Sequence, residues 1–364
     1  MNKIKAFLAR KGVVCSFRQY GVDALGAMAQ GLFCTLLVGT ILNTLGQQLH
    51  ISFLTAPVVS VGTVSYTVGG LASAMVGPGI AVAIGTALHC PPLVLFSLIP
   101  VGFAANAMGG AGGPLAVYAV TIIAAELGKL VSKETRIDIL VTPCVTVIAG
   151  IAVAQLIAAP IGTAARAVGL AIMWATELQP FFMGVLVSAL IGIALTLPIS
   201  SAAICAAFGL TGLAGGAAVA GCCAQMVGFA VMSFKENRWG GLVAQGVGTS
   251  MLQMPNILKN PRIWIPPTLA SMITGPLATC VFKLQMNGSP VSSGMGTCGF
   301  VGQIGVYTGW VSDIAAGTKA AITPMDWIGL VLICFILPAV LSTLFCRVLE
   351  KRGWIREGDM KLDL

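Results

Sequence analysis

Residues 235–262 read KENRWGGLVAQGVGTSMLQMPNILKNPR, and this stretch decides how the chain folds. Two short basic clusters, Lys235-Glu-Asn-Arg238 and Lys259-Asn-Pro-Arg262, bracket twenty residues without a charge. Lys and Arg beside membrane-spanning segments are retained on the cytoplasmic side. With both clusters there, Trp239–Leu258 must enter and leave on one face. Crossing once takes about 20 residues, so twenty residues cannot cross twice, and the spacing predicts a re-entrant hairpin. Gly240, Gly241, Gly246 and Gly248 suit tight backbone, and Gln245, Ser250, Gln253 and Asn256 add polar groups. Buried polar groups need partners. A bound solute is one such partner, and helix–helix hydrogen bonds are the other.

The flanking sequence requires a membrane around this hairpin. The 364 residues are 57% hydrophobic and 9% charged, against roughly a quarter charged in a soluble domain. No Asp, Glu, Lys or Arg occurs between Asp23 and Glu126, and none between Leu178 and Phe234. The expected fold class is an all-α polytopic membrane protein with about ten transmembrane helices plus re-entrant hairpins. Its 45 glycines and 18 prolines lie within the apolar stretches, where they mark close helix contacts and broken segments. The net charge of +8 sits at the ends: Lys3, Lys5, Arg10, Lys11 and Arg18 precede the first span, and Arg347, Lys351, Arg352, Arg356 and Lys361 follow the last. That placement reads as topology, with both termini cytoplasmic and an even number of crossings, and argues against nucleic acid as a partner.

The sequence divides into a basic N-terminal segment (1–21), a transmembrane domain (22–346) and a charged cytoplasmic tail (347–364). Candidate spans include 51–69, 164–178 (read as interfacial), 200–219, 220–234 and 291–311. A faint repeat relates Lys133-Glu-Thr-Arg136-Ile-Asp-Ile139 to Lys259-Asn-Pro-Arg262-Ile-Trp-Ile265, each followed by a proline and a glycine. Structural repeats around a midplane site are a common transporter plan. The 11 cysteines lie mostly in apolar runs and no CxxC occurs, so they read as packing residues and no metal, disulfide or cofactor is expected. P-loop, nucleophile-elbow and HExxH motifs are lacking.

Gly248-Thr-Ser-Met-Leu-Gln-Met-Pro255, followed by Asn260-Pro-Arg262-Ile-Trp-Ile-Pro266, resembles a motif of the sugar permeases of the phosphotransferase system. Fructose-type members of that EIIC family read G-I-T-E-G-A-I-P-F, then a D/N-P-L-R-V-I-P run. Gly77-Pro-Gly79, Gly109–Gly113 and Arg136 with Thr142-Pro143 look like the family's first half. The likeness is greatest to a stand-alone EIIC-like branch that includes perfringolysin-regulator-type membrane proteins. The resemblance implies an inner-membrane permease for a small polar, sugar-like solute, a homodimer, and separate EIIB and EIIA subunits that supply phosphoryl groups.

Two departures bear on the chemistry. The family's Glu in G-I-T-E falls on Met251, and its P-H-G-G loop falls on Gly288–Gly296 without a histidine. No group at this motif can act as a carboxylate base, which leaves open both a sensor or regulator that has lost phosphotransfer and a gradient-driven carrier. The candidate solute-binding residues are Ser250, Gln253 and Asn256 in the hairpin. Ser292, Ser293 and Gln303 join them from the second family loop. His89 and Asn106 complete the set, as polar groups within the charge-free region. No catalytic residue is assigned.

Overall fold

The fold is described from a computed structural model for residues 7–8, 10–13 and 16–362; Lys3 and Lys5 lie outside the described residues. The chain divides into two compact units, Met1–Ala165 and Arg166–Leu364.

The first unit opens with α1 (Arg18–Gln47). A two-stranded antiparallel ribbon follows, β1 (Val59–Val61) and β2 (Val64–Tyr66), with Val61 paired to Val64 across the turn. The expected span at 51–69 is therefore a correction. The alternation Val59-Ser-Val61 and Val64-Ser-Tyr66 has the two-residue strand period, and Gly62 turns the chain at φ +61°. Next come α2 (Val68–Ala74) and α3 (Val76–Ala87), bent by 54° at Met75, then α4 (Pro92–Gly109) and α5 (Gly113–Val131). Gly110, at φ +53°, breaks the chain between α4 and α5, which pack against each other.

Near the C-terminal end of α5, Lys129 is buried and pairs with Glu126 at 2.8 Å. Its ammonium also donates to the carbonyls of Gly12 (3.1 Å) and Leu88 (3.3 Å). Arg10 and Lys11 pair with Glu134 in the loop after α5, and that carboxyl is held below its usual range, chiefly by the hydrogen bond from Lys11. The N-terminal basic residues and the loop at 132–137 thus occupy one end of this unit.

Helix α6 (Asp138–Thr176) contains the boundary between the units and runs 39 residues, about 58 Å at 1.5 Å per residue. The expected interfacial piece at 164–178 is its continuation. The second unit then holds α7 (Pro180–Thr196), α8 (Ser201–Ala207), α9 (Gly212–Met232), α10 (Phe234–Val243), α11 (Met254–Lys259), α12 (Ile265–Pro276), α13 (Val301–Ala315) and α14 (Pro324–Lys351). Lys351 ends α14, and the charged residues from Arg352 onward follow it.

Helix α9 is the centre of this unit, for every residue from Gly215 to Ala230 is buried. A helix that is apolar all round belongs in a core. Its small residues let neighbours approach: a Cβ on Gly221 would overlap the Ser188 carbonyl of α7, and one on Gly275 of α12 would overlap the Gly184 carbonyl. Ser188 Oγ also donates to the Ser271 carbonyl at 2.7 Å, tying α7 to α12.

Among the described residues five helical stretches are long and apolar enough to cross a membrane, six if α2 and α3 form one span. One of the five is Pro92–Val131, which contains both α4 and α5. The expected count of about ten came from a larger set of apolar runs, some of them read as interfacial or re-entrant. Outward-facing side chains such as Phe96, Ile148, Leu156 and Leu170 are more than 60% exposed, which suits lipid. The repeat noticed in the sequence is local. Both copies open a helix, α6 and α12, but the segment before the first is the unbroken α5, whereas the segment before the second is broken.

Candidate functional site: two broken hairpins meeting on one helix

The segment from Phe234 to Lys259 goes in and comes back. α10 gives way to a π-helical turn at Ala244–Gly248, then a 3-10 turn at Ser250–Gln253, then α11. Gly248 precedes an extended residue, Thr249, whose hydroxyl accepts from the Met251 N–H. Pro255 lies in the first turn of α11, where it lacks only an N–H that the helix start leaves free. The entering leg stands beside the C-terminal end of α9: Ser233 follows Met232 directly and accepts from Gln245 Nε2 at 2.9 Å.

A second hairpin enters from the opposite end of α9. Met286 pairs with Gly212 at the start of that helix. The chain then runs through a short helix at Pro290–Ser293 and a turn at Cys298–Phe300, and returns as α13. Asn287 bonds Asp313 at 2.8 Å, holding its feet together. The tips meet: the turn at Ala244–Gly248 packs against Cys298–Phe300. Thr297 Oγ1 lies 3.6 Å from Met226 Sδ, and Gly296 sits against Cys222. The second tip therefore bears on the Cys222–Met226 turn of α9, and the first on Ala230, the neighbour a Cβ on Gly246 would meet.

Polar groups collect at this meeting point. Ser250 and Thr196 share a hydrogen bond of 2.8 Å between their hydroxyls. Gln225 joins three helices: its Oε1 accepts from Trp264 Nε1 at 3.0 Å, its Nε2 donates to Thr268 at 3.1 Å, and Thr196 approaches its Oε1 at 3.4 Å. Gln225→Leu is expected to lower the thermal midpoint, because the half-buried Trp264 N–H loses its acceptor, at a cost of roughly 1 kcal/mol. Adding Trp264→Phe should recover part of the loss, and a midpoint unmoved by Gln225→Leu would contradict the network.

A second network joins the two legs of the first hairpin. Gln245 Oε1 accepts from Gln253 Nε2 at 2.8 Å, and Gln253 Oε1 accepts from Asn256 Nδ2 at 2.9 Å. The outer hydrogens of both amides are taken by the chain's own C-terminal segment: Gln253 donates to the Met360 carbonyl at 3.0 Å and Asn256 to the Lys361 carbonyl at 2.9 Å.

Six of the eight residues singled out in the sequence thus lie in the hairpins of the second unit. Ser250, Gln253 and Asn256 share the first. On the second, Ser293 donates to the Leu210 carbonyl at 2.6 Å and Ser292 is buried beside Gly305. Gln303 donates to Cys223 Sγ at 3.2 Å, and its buried Oε1 has no partner among the described residues. His89 and Asn106 belong to the first unit. His89 is exposed in the turn after α3 at φ +52°, and Asn106 is half-buried on α4, packed against Gly77 and Gly113. Thr196, Thr268 and Trp264 were not picked out from the sequence, since only helix packing brings them to Gln225. A polar pocket of about 510 Å³ lies at the far end of the second unit, lined by Lys283, Gln285, Asn287, Asp313, Lys319 and Asp326.

The family model for the EIIC component of the phosphotransferase system matches residues 22–362. The chain belongs to the EIIC family. The match covers both units, both hairpins and nearly all of the C-terminal segment, and this EIIC chain is accordingly a multi-pass membrane protein of the sugar-permease type. No curated protein and no solved structure matches the chain. At the position where the sequence motif of fructose-type members carries Glu, the EIIC chain has Met251, whose side chain is buried.

Proposed function

We propose that this EIIC protein carries a small, hydroxyl-rich, sugar-like solute across the inner membrane, and that the solute binds where the two hairpins meet. The meeting of two broken segments, Ala244–Gly248 and Cys298–Phe300, beside α9 carries this reading. Broken helices that enter from opposite faces place backbone and side-chain hydrogen-bonding groups at mid-depth, where a carrier holds its cargo. Ser250 stands at the first hairpin's tip with Gln253 and Asn256 on the leaving leg behind it, and Ser292, Ser293 and Gln303 belong to the second hairpin. The unpartnered Gln303 Oε1 is an acceptor suited to a solute hydroxyl. Lys235, Arg238, Lys259, Arg262 and the basic residues after α14 lie at the foot of the first hairpin, so that end faces the cytoplasm. Separate EIIB and EIIA subunits would approach from there, and the chain would work as a homodimer by alternating access.

The groups in place bind and orient; they do not abstract protons. If a phosphoryl group is transferred, catalysis is positioning of a solute hydroxyl in line with an external donor. Gln253→Ala is expected to weaken solute affinity about tenfold to a hundredfold while the protein remains monodisperse. Uptake of labelled hexoses and hexitols into proteoliposomes, with and without soluble phosphotransferase components, is the test. Uptake that does not respond to Gln253→Ala would place the solute elsewhere.

Met251 favours a second reading. A thioether replaces a carboxylate that could bond two sugar hydroxyls, and a protein that senses a solute needs affinity without phosphoryl transfer. That reading expects solute binding with no phosphorylated product and altered gene expression on deletion.

A further inference from the structure

The C-terminal segment is charged and short, yet it is among the most thoroughly bonded parts of the second unit. α14 ends at Lys351, and Gly353, at φ +70°, turns the chain back. From there residues 354–362 lie across both legs of the first hairpin. On the entering leg, the Glu236 carboxylate accepts the N–H groups of Gly358 and Met360, both at 3.0 Å. Asn237 donates to the Met360 carbonyl at 2.8 Å and accepts from the Leu362 N–H at 2.8 Å. On the leaving leg, Gln253 and Asn256 donate to the carbonyls of Met360 and Lys361. Asn260 donates to the Trp354 carbonyl at 2.9 Å and to Asp359 at 2.7 Å, and Arg262 stacks over the Trp354 ring at 5.2 Å. Ile355 and Met360 are buried, each 2% exposed.

These contacts resemble those of a ligand. Two peptide carbonyls take the outward hydrogens of Gln253 and Asn256, the place where a solute hydroxyl or a docking subunit would otherwise bond. The segment also bridges the two legs, so a hairpin that must open at its foot cannot do so while the segment is seated. We propose that residues 354–362 are an autoinhibitory strap: seated, they occlude the hairpin amides and lock its legs, and release of the strap exposes the site to the cytoplasmic side. The assignment of solute binding to Gln253 and Asn256 rests on the function proposed above; the occlusion itself does not. A site open for only a fraction of the time binds more weakly by that fraction, so strap seating sets the apparent affinity.

Two variants of the full chain loosen the strap without touching the solute-binding residues: Trp354→Ala/Asp359→Ala removes the stack and the Asn260 bond, and Ile355→Ser/Met360→Ser removes the buried anchors. Hydrogen exchange at the Gly358, Met360 and Leu362 amides reports release. Access is read by labelling a cysteine reporter, Asn256→Cys, with a charged methanethiosulfonate reagent and counting the modified peptide by mass spectrometry. The bond lost with Asn256 is lost in every background, so the comparison stands. The proposal expects slow labelling in the parent and labelling at least about tenfold faster when the strap amides exchange freely. Released strap amides with unchanged labelling would overturn it, because the strap would not be what covers the site. Protected amides in both variants would also overturn it, because the segment would then be a fixed part of the fold. Neither readout requires a solute, so the strap can fail while the effect of Gln253→Ala on uptake stands, and the reverse.

Discussion

Gly221→Val is expected to leave little or no folded protein in detergent. Gly221 lies at mid-length of α9, and a Cβ there would overlap the Ser188 carbonyl oxygen and the neighbouring backbone of α7. Backbone cannot swing aside as a side-chain end can, so α7 would have to move bodily. That movement would pull Ser188 from the Ser271 carbonyl and Thr196 from Ser250. Overpacking of a filled core costs typically about 1–3 kcal/mol and more where nothing can yield, and at this crossing the upper end or beyond is expected. Size-exclusion profiles and thermal midpoints of purified protein are the check. Gly240→Ala serves as control, because nothing stands within 4 Å of a Cβ there. If Gly221→Val is as monodisperse and as heat-resistant as Gly240→Ala, the close crossing of α7 and α9 does not exist.

The second large effect is expected in the first unit. Lys129 is 2% exposed and meets the Glu126 carboxylate at 2.8 Å, as well as the carbonyls of Gly12 and Leu88. Lys129→Met keeps most of the side-chain volume but leaves Glu126, itself only 13% exposed, with no cation. Breaking a buried pair by removing one partner costs about 3–5 kcal/mol, whereas replacing both charges is often nearly neutral. Lys129→Met should therefore depress the thermal midpoint strongly, and Lys129→Met/Glu126→Gln should recover most of it. Equal losses in the single and double variants would show that Lys129 acts through its two carbonyl acceptors and not through the ion pair.

These two sites also show what the sequence could and could not reveal. The Glu126–Lys129 pair was legible, because a spacing of three places both side chains on one helix face. The first hairpin was legible for a different reason: two basic clusters twenty residues apart leave too little chain for two crossings, and the glycines and Pro255 mark where the backbone breaks. The β-ribbon at Val59–Tyr66 carried its own signal in the alternation of Val with Ser and in Gly62, but the surrounding apolar composition outweighed it. Met251 could be singled out only against the family motif.

The rest depends on tertiary register, which no local pattern encodes. Thr196, Gln225, Trp264 and Thr268 come from three separate helices, and their bonds exist only because glycines let those helices approach closely. The strap was hidden more completely. Trp354-Ile-Arg-Glu-Gly-Asp-Met360 reads as a solvated charged tail, and its role comes from backbone N–H and carbonyl groups, which are the same in every sequence. Ile355 and Met360, apolar residues four and nine positions past the helix end, were the only local hint.

Ligand-induced thermal stabilisation of the purified protein, against a panel of hexoses, hexitols and sugar acids, tests the central claim most directly. A solute specific for the folded state raises the midpoint, more so the tighter it binds. The account predicts that at least one polyhydroxylated compound raises the midpoint, and that Gln253→Ala diminishes the rise. A compound that stabilises wild type and Gln253→Ala equally, or a panel in which nothing stabilises the protein, would contradict a solute site at the meeting of the hairpins.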